Sequence, residues 1–271
     1  MKTAFVTGGS GGLGAAIVKE LDDAKYKVYA GNRIKKTPLI NAKSVSNLTA
    51  DVTDPKQMQS AMENIIDDCG RIDAVICNAG INESAPAEEL SLERASRIID
   101  TNFWGVVHTI RAALPQMRKQ RHGTIVVIGS LAGIVSPPGE SYYAASKHAI
   151  RGFLESLQYE VAAFGVRIHL AEPGFIQTNL AKGYKPPDNP IDCYQKLRQA
   201  LKEHWQGAIS NGMPSQQVAN EIVEMIENTH TPFRKRIGTD ASWVPRFKRW
   251  LPAKLFFAIT KRKFGISRLE L

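Results

Sequence analysis

Short runs of β-branched and aliphatic residues alternate with longer helical patterns along nearly the whole chain. The runs at 3–7, 26–31, 46–50, 72–77, 123–129, 166–171 and 234–237 read as strands. Helical periodicity fills the intervals near 12–24, 55–69, 91–120, 141–164 and 214–229. Such alternation predicts a parallel sheet with helices on both faces, and right-handed crossovers make it doubly wound. The expected fold class is α/β, with a single domain over residues 1–240 built on a seven-stranded parallel sheet. A chain of 271 residues buries a core of that kind without disulfides or metal.

Two segments fall outside the alternation. Residues 175–213 carry Pro186, Pro187 and Pro190 and then a helical stretch, Tyr194 to Gln206. Long excursions of this kind are usually functional, so this one is expected to be a helical lid over a substrate pocket. The second segment is a C-terminal extension, 241–271, rich in basic and aromatic residues. From Thr231 onward there are 11 Lys and Arg against two acids, which leaves 24 of each sign before it. The whole net charge of +9 therefore belongs to the last 41 residues. Two readings of the tail stay open: a cap on the pocket, or an amphipathic segment at an anionic membrane surface. Pro252 should interrupt any helix there. No nucleic-acid-binding module accompanies the charge, so nucleic acid is not expected as a partner.

Three cysteines, Cys69, Cys77 and Cys193, are too few and too scattered for a disulfide framework. No run approaches the ~20 apolar residues of a membrane span. The first strand begins almost at Met1, with no signal-peptide pattern before it. A cytoplasmic location is expected, peripheral to a membrane if the tail binds one. The six histidines show no paired spacing for zinc, and no metal site is expected.

Gly8, Ser10, Gly12, Leu13 and Gly14 form a glycine-rich turn between the first strand and the first helix. Such a turn lets the backbone approach a pyrophosphate, and the helix start offers it free N–H groups. The second strand ends Asn32-Arg33, with Lys35 and Lys36 close behind and no acid at that edge. A guanidinium there suits a ribose 2′-phosphate, so NADP is the expected cofactor and NAD the less favoured one.

Tyr143 and Lys147 are four residues apart at a helix start, ~40° apart around the axis, and share a face. Tyr142 lies ~140° from Lys147 and points elsewhere. An ammonium beside a phenol favours the phenolate, so Lys147 is expected to make Tyr143 acidic enough for proton transfer. Ser130 closes the fifth strand, where its hydroxyl can donate to a substrate oxygen. Asn102 sits inside a long helical pattern that it does not favour.

Together these motifs resemble the short-chain dehydrogenase/reductase family over residues 1 to about 240. The glycine spacing through Gly8, Gly12 and Gly14, then Asn78-Ala79-Gly80, Asn102, Ser130, Tyr143-x3-Lys147 and Pro173-Gly174 follow its order. The resemblance implies a Rossmann fold and reversible hydride transfer between nicotinamide and an alcohol or carbonyl carbon. It implies catalytic roles for Asn102, Ser130, Tyr143 and Lys147, with Asn102 holding a water in a proton relay through the lysine. It places Asp51-Val52 beside the adenine, and Asn78, Ala79, Gly80, Tyr143, Lys147, Pro173, Gly174, Ile176 and Thr178 around the rest of the cofactor. It implies homodimers or homotetramers. Asp240-Ala241-Ser242-Trp243 and the tail look most like the retinol and hydroxysteroid branch, hence a small hydrophobic alcohol, ketone or aldehyde as substrate. A reductase of polar or acyl-carrier-bound ketones is the rival enzyme. A non-catalytic NADP-sensing or membrane-surface scaffold protein is the rival from another class.

Overall fold

The computed structural model describes residues 1–34, 43–177 and 185–267. Lys35, Lys36 and Thr178, singled out above, lie outside them.

Seven strands form one parallel sheet in the order β3-β2-β1-β4-β5-β6-β9. They are β1 (Thr3–Thr7), β2 (Lys27–Asn32), β3 (Val45–Thr49), β4 (Ala74–Cys77), β5 (Gly123–Ile128), β6 (Val166–Pro173) and β9 (Arg234–Ile237). The central strands β1, β4 and β5 are buried at every position, as a sheet covered on both faces requires. Alternate residues face opposite layers. Phe5, Val75, Cys77, Ile125 and Val127 pack against α2 (Pro55–Cys69), α4 (Gly105–Gln120) and α5 (Ser141–Val161). Ala4, Val6, Ala74, Ile76, Val126 and Ile128 pack against α1 (Gly12–Asp23) and α7 (Ser215–Glu227). The strand order reverses at β1, which lies between β2 and β4. A crevice therefore opens at the carboxyl ends of these strands, where doubly wound sheets bind ligands.

The expected single helix over 91–120 is three pieces. α3 (Leu92–Ile99) runs into a π turn at Asp100–Trp104, and α4 follows. π turns inserted in helices concentrate at functional sites, and this one carries Asn102. The excursion after β6 is closed at its neck by a small parallel pair, β7 (Ile176–Gln177) with β8 (Met213–Pro214). Its helix, α6, runs Gln195–Ser210, longer than the expected stretch. The tail forms α8 (Thr239–Trp250) and α9 (Ala253–Lys263), parted at Leu251-Pro252 as proline dictates.

Candidate active site

The glycine turn is held rather than loose. Gly8 and Gly12 have φ of 66° and 52°, in the left-handed region where a side chain is strained. A Cβ on Gly14 would stand 2.1 Å from the Gly8 carbonyl oxygen and 2.6 Å from Asn78 Nδ2. Asn78 Nδ2 donates to the carbonyls of Thr7 (3.0 Å) and Gly8 (3.2 Å). Thr7 Oγ1 in turn accepts from the N–H groups of Asn78 (3.0 Å) and Ala79 (3.1 Å). The Asn-Ala-Gly segment after β4 is thus bolted onto the turn after β1. Asn32 closes the other side: its Oδ1 accepts from Ser10 N at 2.9 Å.

The first turn of α1 has no side-chain cap, and a Cβ on Gly11 would meet nothing within 4 Å. Uncapped N–H groups facing open space behind a tight glycine cradle fit a pyrophosphate. Arg33 follows Asn32 and is exposed at the edge of the same crevice. A dinucleotide would therefore be held by Gly8 to Gly14 at its pyrophosphate and by Arg33 at its ribose end. Asp51 spends its carboxylate on Thr53 N and Oγ1. Val52 is buried against Gly105, so its side chain serves the core. Ile176 lies in the neck pair, and Gly174 N donates to Ile237 O at 3.0 Å.

The reacting end brings together residues from β4, β5, the π turn and α5. Lys147 is buried, and its Nζ donates to Ile128 O at 2.8 Å, 5.6 Å from the Tyr143 ring centroid. Ser130 caps the turn after β5 by accepting from Ala132 N at 3.0 Å, and it hydrogen-bonds the Tyr143 phenol. Tyr142 turns away, as the helix geometry demands, and its hydroxyl donates to Ala87 O. Asn102 is fully buried and its amide is fully engaged. Oδ1 accepts from Ile81 N at 2.8 Å, and Nδ2 reaches Ile81 O at 2.9 Å and Ser146 Oγ at 3.1 Å. It ties the π turn to the loop after β4 and to the helix of Tyr143 and Lys147. A Cβ on Gly80 would touch both Asn102 Oδ1 (3.3 Å) and Lys147 Nζ (3.9 Å). Asn102 thus positions the lysine's surroundings.

The electrostatics differ from the sequence expectation. Lys147 was expected to acidify Tyr143, yet the phenol is held above its ordinary value. Burial is the main cause and the nearby Glu140 carboxyl the second, opposed by the hydrogen bond with Ser130. Lys147 is itself buried, which pulls its ammonium down to about 8, and it is engaged with a carbonyl. The protein's own groups, without a nicotinamide, thus favour the neutral phenol.

Several contributors gain roles that the sequence did not assign them. Asp240 Oδ2 accepts from Phe175 N at 2.8 Å and fills the space beside Gly174, fixing the turn after β6. Glu89 anchors the lid by pairing with Arg198 and accepting from Ile191 N. Arg94 adds bonds to Pro186 O and Asp188 Oδ1, both 2.9 Å. The tail packs on the lid: Phe264 stacks on His204 with centroids 3.8 Å apart, and Trp205 meets Phe175 edge-on. Glu140 and Asn82 are paired beside Tyr143. An acid three residues before the tyrosine was the one available signal for Glu140.

This fold and site define an oxidoreductase family. A family model described as short chain dehydrogenase matches residues 2–189, and the chain belongs to that family. Its relatives include the 3-ketodihydrosphingosine reductase of Bacteroides thetaiotaomicron, 30% identical over 94% of this chain and 97% of that protein. The 3-oxoacyl-acyl-carrier-protein reductase FabG of Escherichia coli is 34% identical over 67% of this chain and 76% of its own length. A solved short-chain dehydrogenase from Streptomyces avermitilis superposes with a TM-score of 0.81 at 25% identity, covering 98% of each chain.

Proposed function

We propose that this protein is an NADPH-dependent reductase of a ketone or aldehyde carried on a hydrophobic, lipid-like substrate. The observation that carries this reading is the convergence of Ser130, Tyr143 and Lys147 at the carboxyl end of β5, with Lys147 Nζ 5.6 Å from the Tyr143 ring centroid and bonded to Ile128 O. Bound NADPH supplies the hydride. The Ser130 hydroxyl donates to the substrate carbonyl oxygen, and Tyr143 passes its proton to that oxygen as negative charge develops. Lys147 restrains the rim of the site through Ile128, and Asn102 fixes the helix that carries both residues. The hydrophobic character of the substrate rests on the lid and tail, where Phe175, Trp205 and Phe264 cluster and the lid's Leu201 covers Gly139. The ketone reductase from Bacteroides, similar over nearly its whole length, supports the same reading. An acyl-carrier-bound ketone is the second reading, favoured by the likeness to FabG. NADPH oxidation measured with long-chain ketones, steroid and retinoid carbonyls and an acyl-carrier ketone tests the proposal. Turnover confined to the acyl-carrier substrate would favour the second reading.

NADPH is the preferred cofactor because Arg33 stands where an acid would select NAD. Arg33→Ala is expected to weaken NADPH binding about tenfold or more, with little change for NADH. Fluorescence titration of both nucleotides checks this; an unchanged ratio removes the preference.

The tail divides its faces between the two roles left open above. Phe256 and Phe264 are buried, whereas Trp243 (55%), Phe247 (54%), Trp250 (80%) and Phe257 (62%) are exposed. Arg246, Lys248, Arg249 and Lys254 stand among them. No helix among the described residues is long and apolar enough to cross a membrane. Exposed aromatic rings among cations suit the interface of an anionic bilayer, which is where a lipid substrate would be met. The full-length protein is expected to sediment with phosphatidylserine-containing vesicles and not with phosphatidylcholine alone. Trp250→Ser should weaken that binding roughly tenfold or more, the effect of removing one buried ring. Absence of sedimentation with either vesicle overturns the membrane role.

A further inference from the structure

Glu140 stands at the start of α5, three residues before Tyr143, and is only 3% exposed. A carboxyl that deep in a protein is ordinarily paired with a cation. Among the described residues no Lys or Arg forms a salt bridge with it; its side-chain partner is Asn82 Nδ2, in the loop after β4. Burial pushes the carboxyl up to about 7, against the Asn82 bond. Two further oxygens in this corner, Asn82 Oδ1 and Ser84 Oγ, are buried with no hydrogen-bond partner among the described residues. Ser84 Oγ lies 3.1 Å from where a Cβ on Gly139 would stand, and the lid's Leu201 covers the same spot at 2.6 Å. Three acceptor groups thus gather between the loop after β4, the start of α5 and the lid, with Glu140 three residues before Tyr143 at the head of the same helix.

Leaving such groups unpaired is costly, and a fold without a use for them would replace them with apolar residues. What they lack is a set of donors carrying positive charge. A hydroxyl supplies one donor and leaves the carboxylate's charge uncompensated. A primary ammonium supplies three donors and the opposite charge.

Resting on the reductase reading above, we propose that Glu140, Asn82 and Ser84 form a subsite for a primary ammonium on the carbon next to the reacting carbonyl. The substrate class is then an α-amino ketone on a hydrophobic chain. Glu140 accepts the ammonium's charge-assisted hydrogen bond, Asn82 Oδ1 and Ser84 Oγ take its other donors, and the carbonyl is held toward Ser130 and Tyr143.

The test compares two probes, a long-chain α-amino ketone and the ketone lacking only the amine, with NADPH at neutral pH. The native protein is expected to prefer the amino ketone by roughly 30-fold in kcat/KM, mainly through KM, as loss of a charge-assisted contact implies. Glu140→Gln should collapse that ratio toward one, whatever it does to the separate rates, and Ser84→Ala should lower it several-fold. NADPH titration confirms that each variant still binds cofactor. A native protein that reduces both ketones equally, or a Glu140→Gln variant with the ratio intact, overturns the subsite and leaves the reductase reading standing. Reduction of neither ketone, nor of any other carbonyl tried, overturns the reductase reading itself.

Discussion

Tyr143→Phe is expected to lower the turnover of NADPH-dependent carbonyl reduction by ~10²–10⁴-fold, the usual worth of a positioned proton donor. The substitution deletes one oxygen and leaves the ring, so the packing of α5 should be unchanged. No neighbour among the described residues is placed as Tyr143 is. Tyr142 is turned to Ala87 O, and Lys147 Nζ, bonded to Ile128 O, stands 5.6 Å from the Tyr143 ring centroid. Ser130 can still donate a hydrogen bond, but its alcohol is a far weaker acid than a phenol and a correspondingly poorer proton donor. Cofactor affinity should persist, because the glycine cradle and Arg33 lie at the far end of the crevice. Steady-state rates with a reducible ketone, paired with a nucleotide titration, check both halves. A variant turning over within twofold of the native protein removes Tyr143 from the mechanism.

Lys147→Met should also reduce turnover strongly, by ~10²-fold or more, since the cation that borders Tyr143 and Gly80 is lost. Its effect on stability has the opposite sign. Burial depresses the ammonium from its ordinary 10.5 to about 8, so below that pH the folded protein carries a cation its surroundings disfavour. Between about 8 and 10.5 the unfolded chain binds this proton and the folded protein does not, so native stability rises with pH there. Compared with Lys147→Met, the native protein should therefore gain roughly 3 kcal/mol on going from pH 7 to pH 10.5. Urea unfolding of both proteins at the two pH values reads this directly. A constant difference between them contradicts the buried-cation account.

Much of this architecture is legible before any coordinates. Strands buried on both faces read as continuous apolar runs, and the glycine turn, Tyr143-x3-Lys147 and the proline break at 252 depend only on local geometry. What escaped the sequence depends on contacts between distant residues. The π turn is marked only by Asn102, a residue that helices disfavour, and the bonds of its amide to Ile81 and Ser146 join residues 21 and 44 positions away. Asn82 meets Glu140 across 58 positions, and Asp240 meets Phe175 across 65. The surroundings of the phenol are hidden from the sequence for a related reason. Spacing puts a cation one turn from Tyr143, but it cannot show that the ammonium faces a carbonyl or that Glu140 and burial act on the phenol. The tail could be weighed only as cap or membrane contact, because stacking of Phe264 on His204 requires knowing where α9 lands.

The central claim is that NADPH gives a hydride to a carbonyl carbon while Tyr143 gives the proton to its oxygen. NADPH deuterated at the transferring position of the nicotinamide, turned over with a long-chain ketone by native protein, tests it most directly. Mass spectrometry of the alcohol should find one deuterium on the carbinol carbon, formed at a rate that collapses in Tyr143→Phe. Alcohol without the label, or no alcohol from any carbonyl supplied, contradicts the claim.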